Sequence, residues 1–320
     1  MEENLPLVSI VTPSYNKAAF IEETILSVKD QTYPRIEHIV IDGGSTDGTL
    51  DILKKYSHSL KWISEPDKGQ SDAINKGWQI ATGEILAYLN SDDTYMPWAI
   101  ETATQYFIEN PDVGMVYGDC NIVDEHSNVL RSLPGTRFDF ANLICGRCMI
   151  PQPAVFLRRE VIRDIGFLDV NLHMAMDYDL WIRIGRKFKI EYIPKLLANF
   201  RICPGTKTVD ELPNSGPEVS GIIRKLFSDP ELPKQFRALE RQAYSGVQVY
   251  IGLNYHSLRH MREARRHLIK AFILSPMTFL RRPWLSGCLI TSFLGSKATD
   301  RIVKYKRKLE ISFSSKQSSK

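Results

Sequence analysis

Apolar residues recur along the first 110 positions with two alternating periods. Residues 7–13, 38–44, 60–66 and 84–90 are short, apolar and β-branched, and each ends in Gly, Pro, Asn or acidic residues. Runs of that length and boundary predict buried strands. Between them the apolar spacing becomes helical. In 18–31 it places Phe20, Ile21, Thr24, Ile25 and Val28 on one side. Residues 46–56 form a second helical stretch, opened by Ser45 or Thr46 as a cap, and 70–81 a third. Pro97 suits the first turn of a fourth helix, where its missing N–H costs nothing.

Strand–helix pairs in succession predict a parallel sheet with helices on both faces. Residues 112–205 look mixed. Strands are expected at 113–119 and 154–160, a hairpin over 121–130 turning near Ser127-Asn128, a helix over 177–186, and two further strands at 188–194 and 197–202. The expected fold class is therefore α/β, a mainly parallel sheet with an antiparallel extension. Ligands of such sheets bind outside the carboxyl ends of the strands. The segments at those ends are TPSYN, DGGSTDG, SEPDKGQ and NSDD, so polar groups should converge on one sheet edge.

Composition refines this picture. The 320 residues are 43% hydrophobic and 24% charged, ordinary for a globular chain with a sizeable core. No apolar run reaches the length of a membrane span; Trp284 to Leu294 is too short. The start, MEENLPLVSIV, lacks the pattern of a signal peptide, so a cytosolic protein is expected. Five cysteines suggest no disulfide framework, and Cys145-x-x-Cys148 without a second pair reads as a plain loop. The net charge of +4 is unevenly spread: residues 241–320 carry 16 Lys+Arg against 3 Asp+Glu, and the rest carry 25 against 34. A boundary near residue 235 follows.

VTPSYN, IDGGSTDGT, EPDKGQSDAINKG, YLNSDD and MDYDLWIR stand in the order and spacing of the family 2 glycosyltransferases, and the resemblance covers about residues 5–205. It implies the GT-A fold, a Rossmann-like mixed sheet flanked by helices, over residues 1–235. Within it a nucleotide-sugar half would span about 1–111 and an acceptor half about 112–210. It also implies inverting transfer from a nucleoside-diphosphate-sugar donor to a saccharide or lipid-linked acceptor, with a divalent cation, Mn²⁺ or Mg²⁺, as cofactor. A polyprenyl-phosphate sugar transferase would use the same residues, and an inactive scaffold is the rival from another class.

Each residue can be weighed chemically against this resemblance. A diphosphate leaving group gains negative charge, and carboxylate oxygens are natural ligands for the hard cation that neutralises it. NSDD lies at the family's Asp-x-Asp position, but Asn90 replaces the first aspartate. That leaves Asp92 as the direct metal ligand and Asn90 and Ser91 as neutral donor contacts. Asp93 suits a ligand or a turn equally well. For the nucleotide the resemblance points to Pro13, Tyr15, Asn16, Asp42, Gly43, Asp67, Lys68 and Gly69. Tyr15 can stack on the base, Asp42 can accept from a base or ribose, and Asn16 can instead brace its loop. Inversion by single displacement needs one base to take the acceptor proton. The resemblance assigns this to Asp177, with Asp179 second, although both also suit a helix N-terminus. The family's preceding acid is here Met176. Gln152-Pro153 resembles an acceptor-side loop. Arg201 lies in a segment where the family has Arg-x-His near the diphosphate, with Cys203 here in place of the histidine. It is a candidate diphosphate contact or a solvated surface arginine. Residues 205–209 could form a lid.

Beyond residue 235, Gln248, Ile251, Gly252, Tyr255, Ala264, Leu268, Ala271 and Pro276 match the tetratricopeptide helix-pair spacing, with Gln248 in place of tryptophan. A helical region over 236–310 is expected, and a disordered tail over 311–320. Trp284, Leu285, Leu289, Ile290 and Phe293 among basic residues suit peripheral attachment to an anionic membrane at the inner face of the cell membrane, or a packed hairpin with a basic face. No nucleic-acid partner is expected, and the oligomeric state stays open.

Overall fold

A computed structural model describes residues 5–203, 206–207 and 215–294. The chain forms two compact units: Met1–Leu143 with Cys148–Glu211, and Ile144–Arg147 with Leu212–Lys320.

The first unit is built on one nine-stranded sheet. Its strands are β1 (Val8–Ser14), β2 (Ile36–Asp42), β3 (Lys61–Ser64), β4 (Ile85–Tyr88), β5 (Thr94–Tyr95), β6 (Val113–Val123), β7 (Val129–Leu133), β8 (Val155–Arg158) and β9 (Lys189–Arg201). They lie in the order β3-β2-β1-β4-β8-β6-β9-β5, with β7 beside β6. β3, β2, β1 and β4 are parallel. β8 then runs antiparallel to both β4 and β6, and β9 runs parallel to β6. The four expected parallel strands thus put their carboxyl ends on one edge.

Helices α1 (Ile21–Lys29), α2 (Thr49–Lys55), α3 (Gln70–Ile80) and α4 (Ala99–Glu109) connect these strands, and α5 (Phe140–Ile144), α6 (Arg159–Ile165) and α7 (Met176–Gly185) follow. Ile21, Ile25, Leu53 and Val40 make one core cluster; Ala99, Ala103 and Phe107 make another with Ile10, Ile85 and Phe156. Each such large side chain stabilises the fold by about 1.5–3 kcal/mol relative to exposure.

Three features differ from expectation. The strands expected at 188–194 and 197–202 are one strand, β9. Its pairing with β6 slips where Tyr117–Tyr192 passes to Asp119–Leu196. Pro194, which lacks an N–H for the ladder, falls in this bulge. Gly118 lies opposite, where a Cβ would come within 2.5 Å of Leu197 Cγ. The short strand β5, directly after NSDD, was also not expected, and α4 begins two residues beyond Pro97.

The second unit is helical: α8 (Ser215–Ser228), α9 (Lys234–Arg237), α10 (Glu240–Ser257), α11 (Met261–Leu274), α12 (Pro276–Arg281) and α13 (Trp284–Leu294). α10 and α11 form the expected helix pair. A Cβ on Gly252 would lie 3.0 Å from Leu268 Cγ, so the helices approach closely there. Gln248 Oε1 accepts a 2.8 Å hydrogen bond from His267 Nδ1. Leu285 is a correction: it is buried in the core with Val249, Leu268, Ala271 and Phe279. Trp284, Ile290 and Phe293 are exposed. Among the described residues no helix is long and apolar enough to cross a membrane. Residues 295–310 of the expected helical region and the tail expectation over 311–320 lie outside the described residues. All five cysteines are free.

Candidate active site

A cavity of about 710 Å³ opens at the carboxyl edge of the parallel strands, and every residue lining it belongs to the first unit. Pro13 and Tyr15 line it from the end of β1, and Tyr15 is 62% exposed. Asn16 stands behind them. Its Oδ1 accepts the Thr46 N–H (2.9 Å) and its own N–H donates to Ser45 Oγ (2.7 Å), so it braces the two loops. Asp47 accepts the first N–H of α2, from Thr49.

At the end of β2 the expectation for Asp42 changes. Asp42 is fully buried and outside the cavity lining. Its Oδ2 accepts from the N–H of Gly44 and Ser45 and from Ser64 Oγ, and its Oδ1 accepts from Ser45 Oγ. A carboxylate ringed by donors holds its own turn. Gly44, at φ 86°, is the left-handed residue that makes this turn possible. Gly43 lines the cavity instead, and the space its Cβ would fill is 2.7 Å from Asp67 Oδ2.

From the β3 end, Asp67 and Gly69 line the cavity, while Lys68 is exposed and outside it. Burial pushes the Asp67 carboxyl up from its ordinary range, against the hydrogen bond from the Gly69 N–H. Asp72 and Asn75 lie behind. Asp72 accepts the Lys68 N–H, and Asn75 clamps Leu168 through both its N–H and C=O.

At the β4 end, Asn90, Ser91 and Asp92 line the cavity and Asp93 does not. Asp93 is 1% exposed and accepts from the Arg201 N–H (2.9 Å) and Asn90 Nδ2 (3.1 Å). Burial, and then the neighbouring Asp92 charge, push its carboxyl well above the carboxylate range. Its position is that of an internal support, not an open ligand. Asn90 also accepts from Gln70 Nε2 and donates to Gln152. Asp92 forms a 2.8 Å ion pair with Lys17.

Asp177 is the second residue of α7 and lines the cavity beside His173 and Met176. Asp179 is 5% exposed, outside the cavity lining, and paired with Arg183 at 2.7 Å. Arg201 touches the cavity, but its guanidinium is committed to the protein. It donates to the Asp92 and Asp124 carbonyls, to Glu23 and to Ser127 Oγ. It is neither a solvated surface arginine nor an open phosphate clamp. Of residues 205–209 only Thr206 and Lys207 are described; both line the cavity, and Lys207 donates to Gln70.

Lys17, Tyr88 and His173 also line the cavity and were not singled out in the sequence. A lysine directly after a strand-end motif was the available signal for Lys17. The donor set suits a hard divalent cation: one carboxylate, Asp92, with neutral oxygens beside it. Among the described residues no group of three or more His, Cys, Asp or Glu is placed to hold a metal. Any further ligands of such a cation would come from a bound molecule or water, as is usual for Mg²⁺ sites.

The family model for glycosyl transferase family 2 matches residues 9–166. A Mycobacterium tuberculosis protein, named an uncharacterized glycosyltransferase, is 32% identical over 181 residues, 56% of this chain and 68% of its own. The chain belongs to glycosyltransferase family 2. A longer Rickettsia felis glycosyltransferase is 30% identical over 206 residues, and the chain spans 34% of its length. Among solved structures, residues 1–349 of S. aureus TarS in complex with UDP-GlcNAc superpose with a TM-score of 0.66, at 18% identity over 90% of this chain and 89% of that one. The mannosyltransferase PcManGT from Pyrobaculum calidifontis, in complex with GDP-Man and Mn²⁺, gives 0.61 at 18% identity, over 92% and 87%. At such identity the likeness is one of fold. This family 2 glycosyltransferase has the GT-A architecture, with a helical region after it.

Proposed function

We propose that this glycosyltransferase moves a sugar from a nucleoside-diphosphate-sugar to an acceptor hydroxyl with inversion. One observation carries the reading: Tyr15, Asp67, Asp92 and Asp177, from four separate segments, line one cavity. Its size lies within the roughly 300–1,000 Å³ of small-molecule sites. TarS with UDP-GlcNAc and PcManGT with GDP-Man and Mn²⁺ support a nucleotide-sugar donor and a divalent cation.

In this reading Tyr15 stacks on the base and Asp67 accepts from the base or ribose. Asp92 holds the divalent cation, with Asn90 and Ser91 near the donor phosphates. When bound, the cation neutralises charge growing on the departing diphosphate. Asp177 takes the acceptor hydroxyl's proton as that oxygen bonds to the anomeric carbon. The anomeric carbon–oxygen bond breaks and its electron pair stays on the diphosphate. A single displacement of this kind inverts the centre. Asp42, Asp93, Asp179 and Arg201 support the site from behind.

The test uses panels of UDP- and GDP-sugars with Mn²⁺ and the anomeric configuration of product by NMR. Asp177→Asn should keep donor binding and lose transfer by about 10²–10⁴-fold. Full activity of that variant, or retention of anomeric configuration, would contradict the assignment.

The acceptor class we propose is a saccharide or a lipid-linked glycan. Exposed Trp284, Ile290 and Phe293, the last with Arg265 over its ring, support attachment to an anionic membrane surface. Replacing Trp284 and Phe293 together by Ser should release the protein from anionic vesicles on co-sedimentation. Unchanged sedimentation would remove this part of the proposal.

A further inference from the structure

Lys17 enters the cavity from the loop after β1. Its backbone is fixed independently of its side chain: the N–H donates to Thr49 Oγ1 (3.0 Å), and the C=O accepts from Phe20 (3.0 Å) and Ile21 (2.9 Å). The ammonium is therefore delivered to Asp92 Oδ2 at 2.8 Å. Both side chains are largely enclosed, 22% and 14% exposed, and both line the cavity. Arg201 approaches the same residue but binds its carbonyl oxygen, not its carboxylate. The Asp92 carboxylate thus carries a built-in counter-ion.

A divalent cation arriving alone at Asp92 must share the carboxylate with this ammonium, and like charges a few ångströms apart in an enclosed site repel. A diphosphate changes the balance, because it offers Lys17 a replacement partner. We infer that Lys17 guards Asp92 in the donor-free protein and passes to the donor's diphosphate when the donor binds, which opens Asp92 to the cation. Metal and nucleotide would then each strengthen the other's binding, and that coupling is reciprocal. This rests on the proposed donor site.

Lys17→Met keeps the aliphatic stem and removes the charge. Two bindings are read without turnover: Mn²⁺ alone, by electron paramagnetic resonance of the free ion, and UDP or GDP in EDTA, by calorimetry. Lys17→Met should bind Mn²⁺ alone about five- to tenfold more tightly and bind the nucleotide in EDTA about tenfold more weakly. Lys17→Arg should stay near wild type in both. The Mn²⁺ gain should vanish in Lys17→Met/Asp92→Asn, which locates it at Asp92. Lys17→Gln serves as the second neutral variant if the Met variant does not fold. Unchanged or weaker Mn²⁺ binding in the neutral variants overturns the inference, as does unchanged nucleotide binding in EDTA or a gain that survives loss of Asp92. A wild-type protein that binds neither UDP nor GDP with Mn²⁺ overturns the donor reading and with it the hand-over. A change confined to the Lys17 variants leaves the donor reading standing.

Discussion

The ends of β2 and β4 bring the same chemistry to the same edge of the sheet and use it differently. At β2, Asp42 faces a turn rich in N–H and hydroxyl groups, and both its oxygens are taken up there. The residue turned to the cavity is Gly43. At β4 two adjacent carboxylates divide the work. Asp93 points inward onto Asn90 and the backbone of Arg201, and Asp92 points outward onto one lysine. The difference teaches how to rank strand-end carboxylates. One surrounded by backbone donors is part of the scaffold, and exchanging it costs the fold. One matched by a single flexible ammonium can change partners.

The sharpest way to break the comparison is to remove the anchor of the β4 end. Arg201→Ala takes this donor from the carbonyls of Asp92 and Asp124 and the ion pair from Glu23, which is half exposed and keeps Ser127 Oγ. A loss of about 2–4 kcal/mol is expected, from the carbonyls left without their donor and from the lost packing of the buried arginine stem. Thermal unfolding should show it as a fall of about 10 °C. A variant with wild-type melting would mean that Arg201 is held for a ligand and not for the fold.

The β2 side makes a smaller, pH-dependent prediction. His38 is buried against Thr12 Oγ1 at 2.9 Å, and burial holds its pKa at about 4. The unfolded histidine titrates near 6.5. Between those values the unfolded chain binds a proton that the folded chain refuses. Stability should therefore fall as pH drops from 6.5 to 4, by about 3 kcal/mol at most. Glu37 is also partly buried, but hydrogen bonds from Lys61, Ser9 and Thr82 outweigh this and hold it at about 2. It adds a loss of the same sign below about pH 4.5. Denaturant melts across this range should flatten above pH 4.5 in His38→Gln. An unchanged slope in that variant would contradict the assignment.

Much of the architecture was legible because periodicity reports burial, and burial shapes strands and helices. β1 to β4 and α1 to α4 follow from it within a few residues. β9 was misread as two strands because Pro194 looks like a terminator, and only its partner β6 shows that it fits a bulge. The order of the strand-end motifs located the cavity. It could not say which way each side chain turns, since Asp42 and Asp92 have similar local sequence and opposite surroundings. Arg201 and Lys17 were obscure for a related reason: their partners, Glu23, Asp124 and Asp92, lie far away in the chain.

The central claim is that Asp92, and not Asp93, is the carboxylate that serves the donor and its cation. The direct measurement is the Mn²⁺-dependent rise in melting temperature given by UDP or GDP, compared between Asp92→Asn and Asp93→Asn. Asp92→Asn should melt near wild type without ligand and lose the nucleotide's Mn²⁺-dependent stabilisation. Asp93→Asn should retain that stabilisation wherever it folds. A full Mn²⁺-dependent shift in Asp92→Asn would contradict the account.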